Sequence, residues 1–352
     1  MRNSIRSFII LCCILWGGQS LAQDIHFSQF YMSPLNLNPA MTGVMNCTQR
    51  AVVNYRNQWA GVLGSNAYNT YAASYDRRMA VGREDYFGVG GSLWSDVAGS
   101  ANFGTTQGRL SFAFSKKMAG SRKVSHYLSV GADAGITQRR VNANDLRWPT
   151  QVSNGQYCAT CGFAESIPNE NFLFADLSGG ILWFSNFGDR KSFYGGAAMH
   201  HLNQPNVSFL NQQESLYSRL TIHAGGEYPL NKKVSLKPNI IYMKQGPHTE
   251  MNAGTSVRFK MGQSLGQQDE FTGQFFQIGA WYRVGNKVDG GIHSDAVIIS
   301  SRFDFNNYGI GFSYDYNLSS LNQAATANGS FELSLTYLIC GDSARGVYCP
   351  VF

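Results

Sequence analysis

After residue 48 the chain falls into a rhythm that few folds accommodate, segments of roughly ten residues in which apolar and polar side chains alternate. In Tyr308-Gly309-Ile310-Gly311-Phe312-Ser313-Tyr314-Asp315-Tyr316-Asn317-Leu318 the even positions are Tyr, Ile, Phe, Tyr, Tyr and Leu, and the odd ones Gly, Gly, Ser, Asp and Asn. Phe331 to Tyr337, Met251 to Phe259 and Leu216 to Tyr228 repeat the pattern. Successive side chains of a strand point to opposite faces, so each segment has one face in an apolar medium and one in a polar medium. A soluble sandwich buries such a face in interdigitating Val, Ile and Leu. Here the face is rich in Tyr, Phe, Gly and Ala. Charged residues make up 14%, against roughly a quarter in a soluble domain. Aromatics at 13% and 38 glycines suit aromatic girdles and tight turns. The fold class predicted is all-β, a closed antiparallel transmembrane β-barrel.

Alternation and turn residues predict fourteen strands, at 49–58, 67–78, 86–97, 103–117, 123–140, 172–187, 191–201, 216–229, 233–243, 249–260, 274–285, 293–303, 307–318 and 329–339. An even count puts both ends of the barrel, 49–340, on one side of the membrane, and leaves 341–352 as a short tail. The odd connections include the long ones, 141–171, 202–215 and 319–328. Most even ones are tight, such as Gly188-Asp189-Arg190 and Asn231-Lys232-Lys233. Long loops outside and short turns in the periplasm follow the outer-membrane pattern, with 261–273 as the exception.

The beginning of the chain agrees with export. Arg2 and Arg6 precede an apolar run from Phe8 to Trp16, and Ser20-Leu21-Ala22 supplies a small-x-small cleavage site. Residues 1–22 read as a secretory signal peptide, with an apolar stretch too short to span a bilayer. Leu11 stands before Cys12, where lipid attachment wants a small residue. Cleavage lowers the net charge from +6 to +4, because Arg2 and Arg6 leave. That excess is small, and no Lys/Arg block accompanies it, so nucleic acid is not an expected partner.

Residues 23–48 do not alternate and hold two prolines, which suits neither a strand nor a long helix. Their aromatic content predicts packing against something, and an inward fold into the barrel mouth fills an otherwise aqueous hole. Phe27, Phe30 and Tyr31 fall at helical spacing, so one turn presents all three. Pro34 then ends the turn, and Asn38-Pro39 redirects the chain toward the first strand. These six residues are the candidate plug or partner-contact residues, expected in the periplasmic mouth.

The run Phe27-Ser28-Gln29-Phe30-Tyr31-Met32-Ser33-Pro34-Leu35-Asn36-Leu37-Asn38-Pro39-Ala40 resembles the start of the mature PorP/SprF family. Its members are outer-membrane proteins of the type IX secretion and gliding-motility apparatus. The resemblance continues in Asn54-Tyr55-Arg56-Asn57-Gln58-Trp59, Ser74-Tyr75-Asp76, Asp295-Ala296-Val297-Ile298, Phe312-Ser313-Tyr314-Asp315, Ser330-Phe331-Glu332-Leu333-Ser334-Leu335 and the ending Cys349-Pro350-Val351-Phe352. Residues 141–171 match nothing in it. The resemblance implies a non-catalytic component of type IX export in the cell outer membrane. It would assist export or surface retention of adhesin-like clients, with outer-membrane lipid, other type IX components and client C-terminal domains as partners. The alternative is a passive channel of the fatty-acid-transporter type, with 23–48 as a hatch. A soluble surface β protein is a third reading.

Chemistry-bearing residues are sparse. Cys158 and Cys161 have redox or half-zinc spacing, but two further zinc ligands and a βαβ setting are missing, and an exported loop favours a local disulfide. Cys340 and Cys349 flank the tail and are expected to pair, leaving Cys47 over. His200 and His201 are adjacent in a strand and should point to opposite faces; His223 and Glu227 share one. Asp133, Arg219, Glu227, Arg258, Arg283 and Asp315 fall on the polar face and should line the lumen. With no Ser-His-Asp order, nucleotide loop or paired-carboxylate motif, neither enzyme activity nor a cofactor or metal is expected.

Overall fold

A computed structural model of the chain describes residues 24–82, 84–121, 124–153, 156–158, 161–162, 165–188, 190–261, 273–286, 291–318, 329–340 and 349–350. The expected signal peptide, the connection 319–328 and most of 261–273 and of the tail lie outside the described residues. The strands are β1 (Gln49–Gln58), β2 (Tyr68–Val81), β3 (Asp85–Ala98), β4 (Phe103–Gly120), β5 (Val124–Arg140), β6 (Val152–Ser153), β7 (Gln156–Tyr157), β8 (Asn171–Phe187), β9 (Ser192–His200), β10 (Arg219–Pro229), β11 (Val234–Gln245), β12 (His248–Met261), β13 (Gln274–Asn286), β14 (Ile292–Phe305), β15 (Tyr308–Asn317) and β16 (Gly329–Ile339). Apart from β6 and β7, a small hairpin of their own, they close into one antiparallel barrel. These fourteen are the expected strands, each bound within three residues of its sequence position. β5 pairs with β8, and β1 closes on β16 with Gln49 opposite Ile339 and Arg56 opposite Glu332. Closure leaves no edge, which a sheet in hydrocarbon requires because nothing there can satisfy free backbone groups.

The alternation becomes the two faces of the wall. Along β4 the outward Leu110, Phe112 and Phe114 are exposed, whereas Arg109, Ser111 and Ala113 between them are buried. The strand ends joined by tight connections, after β2, β4, β8, β10 and β14, gather at one end. In one of these connections the Asn231 carboxamide oxygen accepts from the amides of Lys233 (2.8 Å) and Val234 (2.9 Å), an Asx turn that reverses the chain at once. The strand ends that lead into the longer loops, after β1, β5 and β9, gather at the opposite end.

Among the described residues there are two disulfides. Cys158 and Cys161 are bonded within loop 141–170. The second joins Cys47 to Cys340, and Cys349 is free and buried. This corrects the expected Cys340–Cys349 pair. Barrel closure sets Cys47, two residues before β1, beside Cys340, which follows β16, although 293 positions separate them in sequence.

Candidate functional site

Residues 24–48 run the length of the lumen. Asp24 meets His201 and Arg219 at the long-loop end, while the carbonyl of Met45 accepts from Arg78 (2.7 Å) near the short turns. Sequence chemistry keeps the segment in single turns. Ser33 precedes Pro34, which opens the turn Pro34–Leu37, and Pro39 opens another, Pro39–Met41. Proline suits a first helical position because its missing N–H would be unsatisfied there. Asn38 caps the second turn, its carboxamide oxygen accepting from the amide of Ala40 (2.9 Å). The turn Phe30–Met32 ends at Ser33, directly before Pro34 as the sequence predicts, and Pro34 also opens a second turn.

The aromatic residues lie elsewhere than expected. Phe30 and Tyr31 belong to the main buried cluster, but Phe27 packs separately against Ala72 and Trp94. Tyr31 stacks on Trp281 in the middle of β13, at 5.5 Å between ring centres, with its hydroxyl 3.2 Å from that of Ser300. The cluster thus occupies the middle and long-loop half of the lumen, not the periplasmic mouth. The physical reason is reach. Followed back from Cys47 at the short-turn end, the segment has by Asp24 reached His201 and Arg219 at the other, so Phe27 lies far beyond the mouth even with its turns.

Three polar clamps hold the segment. In the first, Glu332 accepts from the amides of Ser28 (2.5 Å) and Gln29 (2.9 Å). The Ser28 hydroxyl donates to Asp315 (2.5 Å) and accepts from Arg56 (2.6 Å) and Arg283 (2.9 Å). Arg56 pairs with Glu332 and Arg283 with Asp315, and all four side chains are buried. In the second, Asp76 accepts from the amide of Gly43 (2.8 Å) and from Nε and one terminal nitrogen of Arg50. Arg50 also donates to the carbonyls of Met41 and Val44. The third is the Asp24 end. Its carboxylate pairs with His201, which also holds Asp176 (2.8 Å), and with Arg219 (3.3 Å). Burial opposes a charged ring at His201, yet the Asp24 and Asp176 carboxylates outweigh it and push the pKa up to about 9. Burial likewise opposes ionisation of Asp24, but His201 and Arg219 hold it well below the usual carboxylate range.

The wall approaches the segment closely where it lacks side chains. A Cβ on Gly131 would lie 2.6 Å from the Ala40 backbone, and one on Gly88 would lie 2.1 Å from the Thr42 carbonyl oxygen. Between them the Asn38 carboxamide donates to the Ile181 carbonyl (3.0 Å) and meets the His223 ring (3.1 Å).

The six polar-face residues read from sequence, Asp133, Arg219, Glu227, Arg258, Arg283 and Asp315, all lie on the inner wall. His200 and His201 do not oppose one another as expected. β9 ends at His200 and His201 has φ +56°, so both rings turn inward and are buried. Sequence reading missed Ser28, Arg56, Asp76 and Glu332 as clamp residues. A signal was there, since Arg56, Asp76, Asp315 and Glu332 each stand in one of the strand fragments that resemble the PorP/SprF family. Among the described residues no group of His, Cys, Asp and Glu side chains forms a metal site.

Among solved structures the chain is similar to the toluene transporter TodX of Pseudomonas putida, with 8% identity, a TM-score of 0.46, and coverage of 91% of this chain and 99% of that one. It is also similar to a deltaS2 mutant of the TodX monoaromatic hydrocarbon channel, with 11% identity, a TM-score of 0.47, and coverage of 90% and 95%. CdiB of Escherichia coli gives 7% identity and a TM-score of 0.45 over 82% of this chain and 63% of that one. A search of curated protein sequences found no match. The family model "Type IX secretion system membrane protein PorP/SprF" matches residues 19–337, which takes in the clamped segment and nearly the whole barrel. This outer-membrane barrel, with its lumen segment clamped by Arg56, Asp76, Asp315 and Glu332, belongs to the PorP/SprF family of type IX secretion system membrane proteins.

Proposed function

We propose that the chain is a non-catalytic component of type IX export that assists the export or surface retention of specific secreted proteins. Adhesin-like clients dock by their C-terminal domains on its long-loop end, and other type IX components supply the energy and the conduit. The observation carrying this reading is the clamped segment itself. Residues 24–46 are held to the wall by buried hydrogen bonds in both halves of the lumen and by the Asp24 ion pairs at its long-loop end, so the described lumen leaves a polypeptide no free route. What remains for a client is the rigid ring and the loops on it.

The test is replacement of Phe27, Phe30 and Tyr31 together with Ser. Each ring contributes about 1.5–3 kcal/mol of burial, so the triple variant loosens the segment without touching the lipid-facing wall. The variant should insert in the outer membrane, migrate as a folded barrel and fail to export its client. Normal export from inserted variant would overturn the reading.

The second reading, a passive channel with residues 23–48 as its hatch, draws on the way the segment fills the lumen. An apolar path is opposed by Arg56, Arg283, Asp315 and Glu332 across it. Uptake of an apolar solute by vesicles carrying the protein, at a rate above empty vesicles, would favour the channel.

A further inference from the structure

At the long-loop end, beside the start of the lumen segment, lies a cavity of about 200 Å³. Phe103, Val207, Phe209 and Leu216 give it apolar walls, and the exposed Tyr217 and Glu214 stand at its rim. An apolar cavity of about 150 Å³ takes a benzene ring, so this one has room for a phenyl or a short aliphatic chain. Its one arginine is Arg139, from the end of β5, whose guanidinium lies over the Phe103 ring at 5.8 Å. The Nε of Arg139 is buried without a hydrogen-bond partner, and no carboxylate among the described residues comes within ion-pair distance of it. The nearest acids, Asp24 and Glu214, stay beyond ion-pair distance of it. Asp24 is held by His201 and Arg219, and Glu214 is exposed. Arg139 as a whole is half-buried, but its Nε lies away from water beside apolar walls with no acceptor, and an anionic ligand would complete it.

We propose that this cavity binds a carboxylate carried on a small apolar body, the carboxylate on Arg139 and the body between Phe103, Phe209 and Leu216. A free monocarboxylic acid and the C-terminal end of a polypeptide share that chemistry. The site also adjoins the lumen segment. Gln245, in the cavity wall, accepts from the Asp24 amide (3.0 Å) and donates to the Tyr217 carbonyl (3.2 Å), so an occupant sits one side chain away from the third clamp.

The test uses detergent-solubilised full-length protein and isothermal titration with 3-phenylpropanoate, its neutral amide, and a hexapeptide ending in Phe with either a free or an amidated terminus. A free acid should bind saturably and its neutral counterpart at least about tenfold more weakly, the scale of one charge-assisted hydrogen-bonded pair. Arg139→Met should lose the same factor while Arg139→Lys retains most of the affinity, both variants keeping folded-barrel gel mobility. Binding of the small acid alone supports the proposal and identifies a free acid as the source. Preference for the free-terminus peptide supports it and identifies a polypeptide end. Equal binding of acid and amide, unchanged affinity in Arg139→Met, or no binding of either acid would overturn it.

Discussion

Glu332 ties the lumen segment to the barrel wall from within β16. Its carboxylate receives two amides of the lumen segment and the Arg56 guanidinium, all away from water. Removing one member of a buried ion pair leaves the other uncompensated, at a cost of about 3–5 kcal/mol. Glu332→Gln is therefore expected to lower the temperature at which the unboiled gel form is lost, whereas the same change at the exposed Glu214 should leave it in place. His201 makes a prediction of a different kind. Its pKa is raised from 6.5 to about 9, so its stabilising charge is fully present below pH 6.5 and is lost as pH rises through about 9. Asp24 is shifted the other way, and its contribution disappears only as pH falls below the usual carboxylate range. The groups facing this pair are His200, Asp176, Arg219, Arg109, Asp133 and Arg139. Amide protection at residues 24–28, corrected for intrinsic exchange, should drop as pH passes about 9. In His201→Gln it should be low already at pH 7, with no further step. A step of equal size in the variant would remove His201 from the clamp.

At the scale of elements, contact between the lumen segment and the wall depends on missing side chains as much as on the clamps. Gly131→Val puts a branched side chain where the Ala40 backbone lies, so the segment must move while the strand pairing of β5 need not. Limited proteolysis in detergent should then cut within residues 24–46 of a variant whose barrel still migrates as folded, and the parent should resist. The strands themselves were legible in the sequence because alternation is local. Tyr308 to Leu318 declares its two faces without reference to any partner. The Cys47–Cys340 bond was not read, although the information existed, since an even-stranded closed barrel must bring the residues before its first strand to those after its last. The depth of Phe27, Phe30 and Tyr31 was misjudged for a related reason. Helical spacing says which side chains share a face only where a helix forms, and Pro34 and Pro39 limit this segment to separate turns. The buried clamps were the least legible, because Ser28, Arg56, Asp315 and Glu332 are brought together from opposite ends of the chain by closure alone.

For the whole molecule, the long-loop end is expected to face the outside of the cell. Maleimide applied to intact cells should fail to label Cys158 and Cys161 until a reductant opens their bond. Labelling confined to lysed cells would reverse the orientation. The course of residues 24–48 also carries information about time. The segment passes through the full height of a cylinder and leaves it beside the seam between β1 and β16, with Ala40 against Gly131 and Thr42 against Gly88 leaving no clearance. A chain with turns at Pro34 and Pro39 and charged partners on several strands does not slide into such a space once the wall is complete. This packing favours closing the seam last, after residues 24–46 have been laid against the open sheet. Cys47 and Cys340 meet only when that joint has formed, so in this order of events their bond records a barrel finished with its contents already inside.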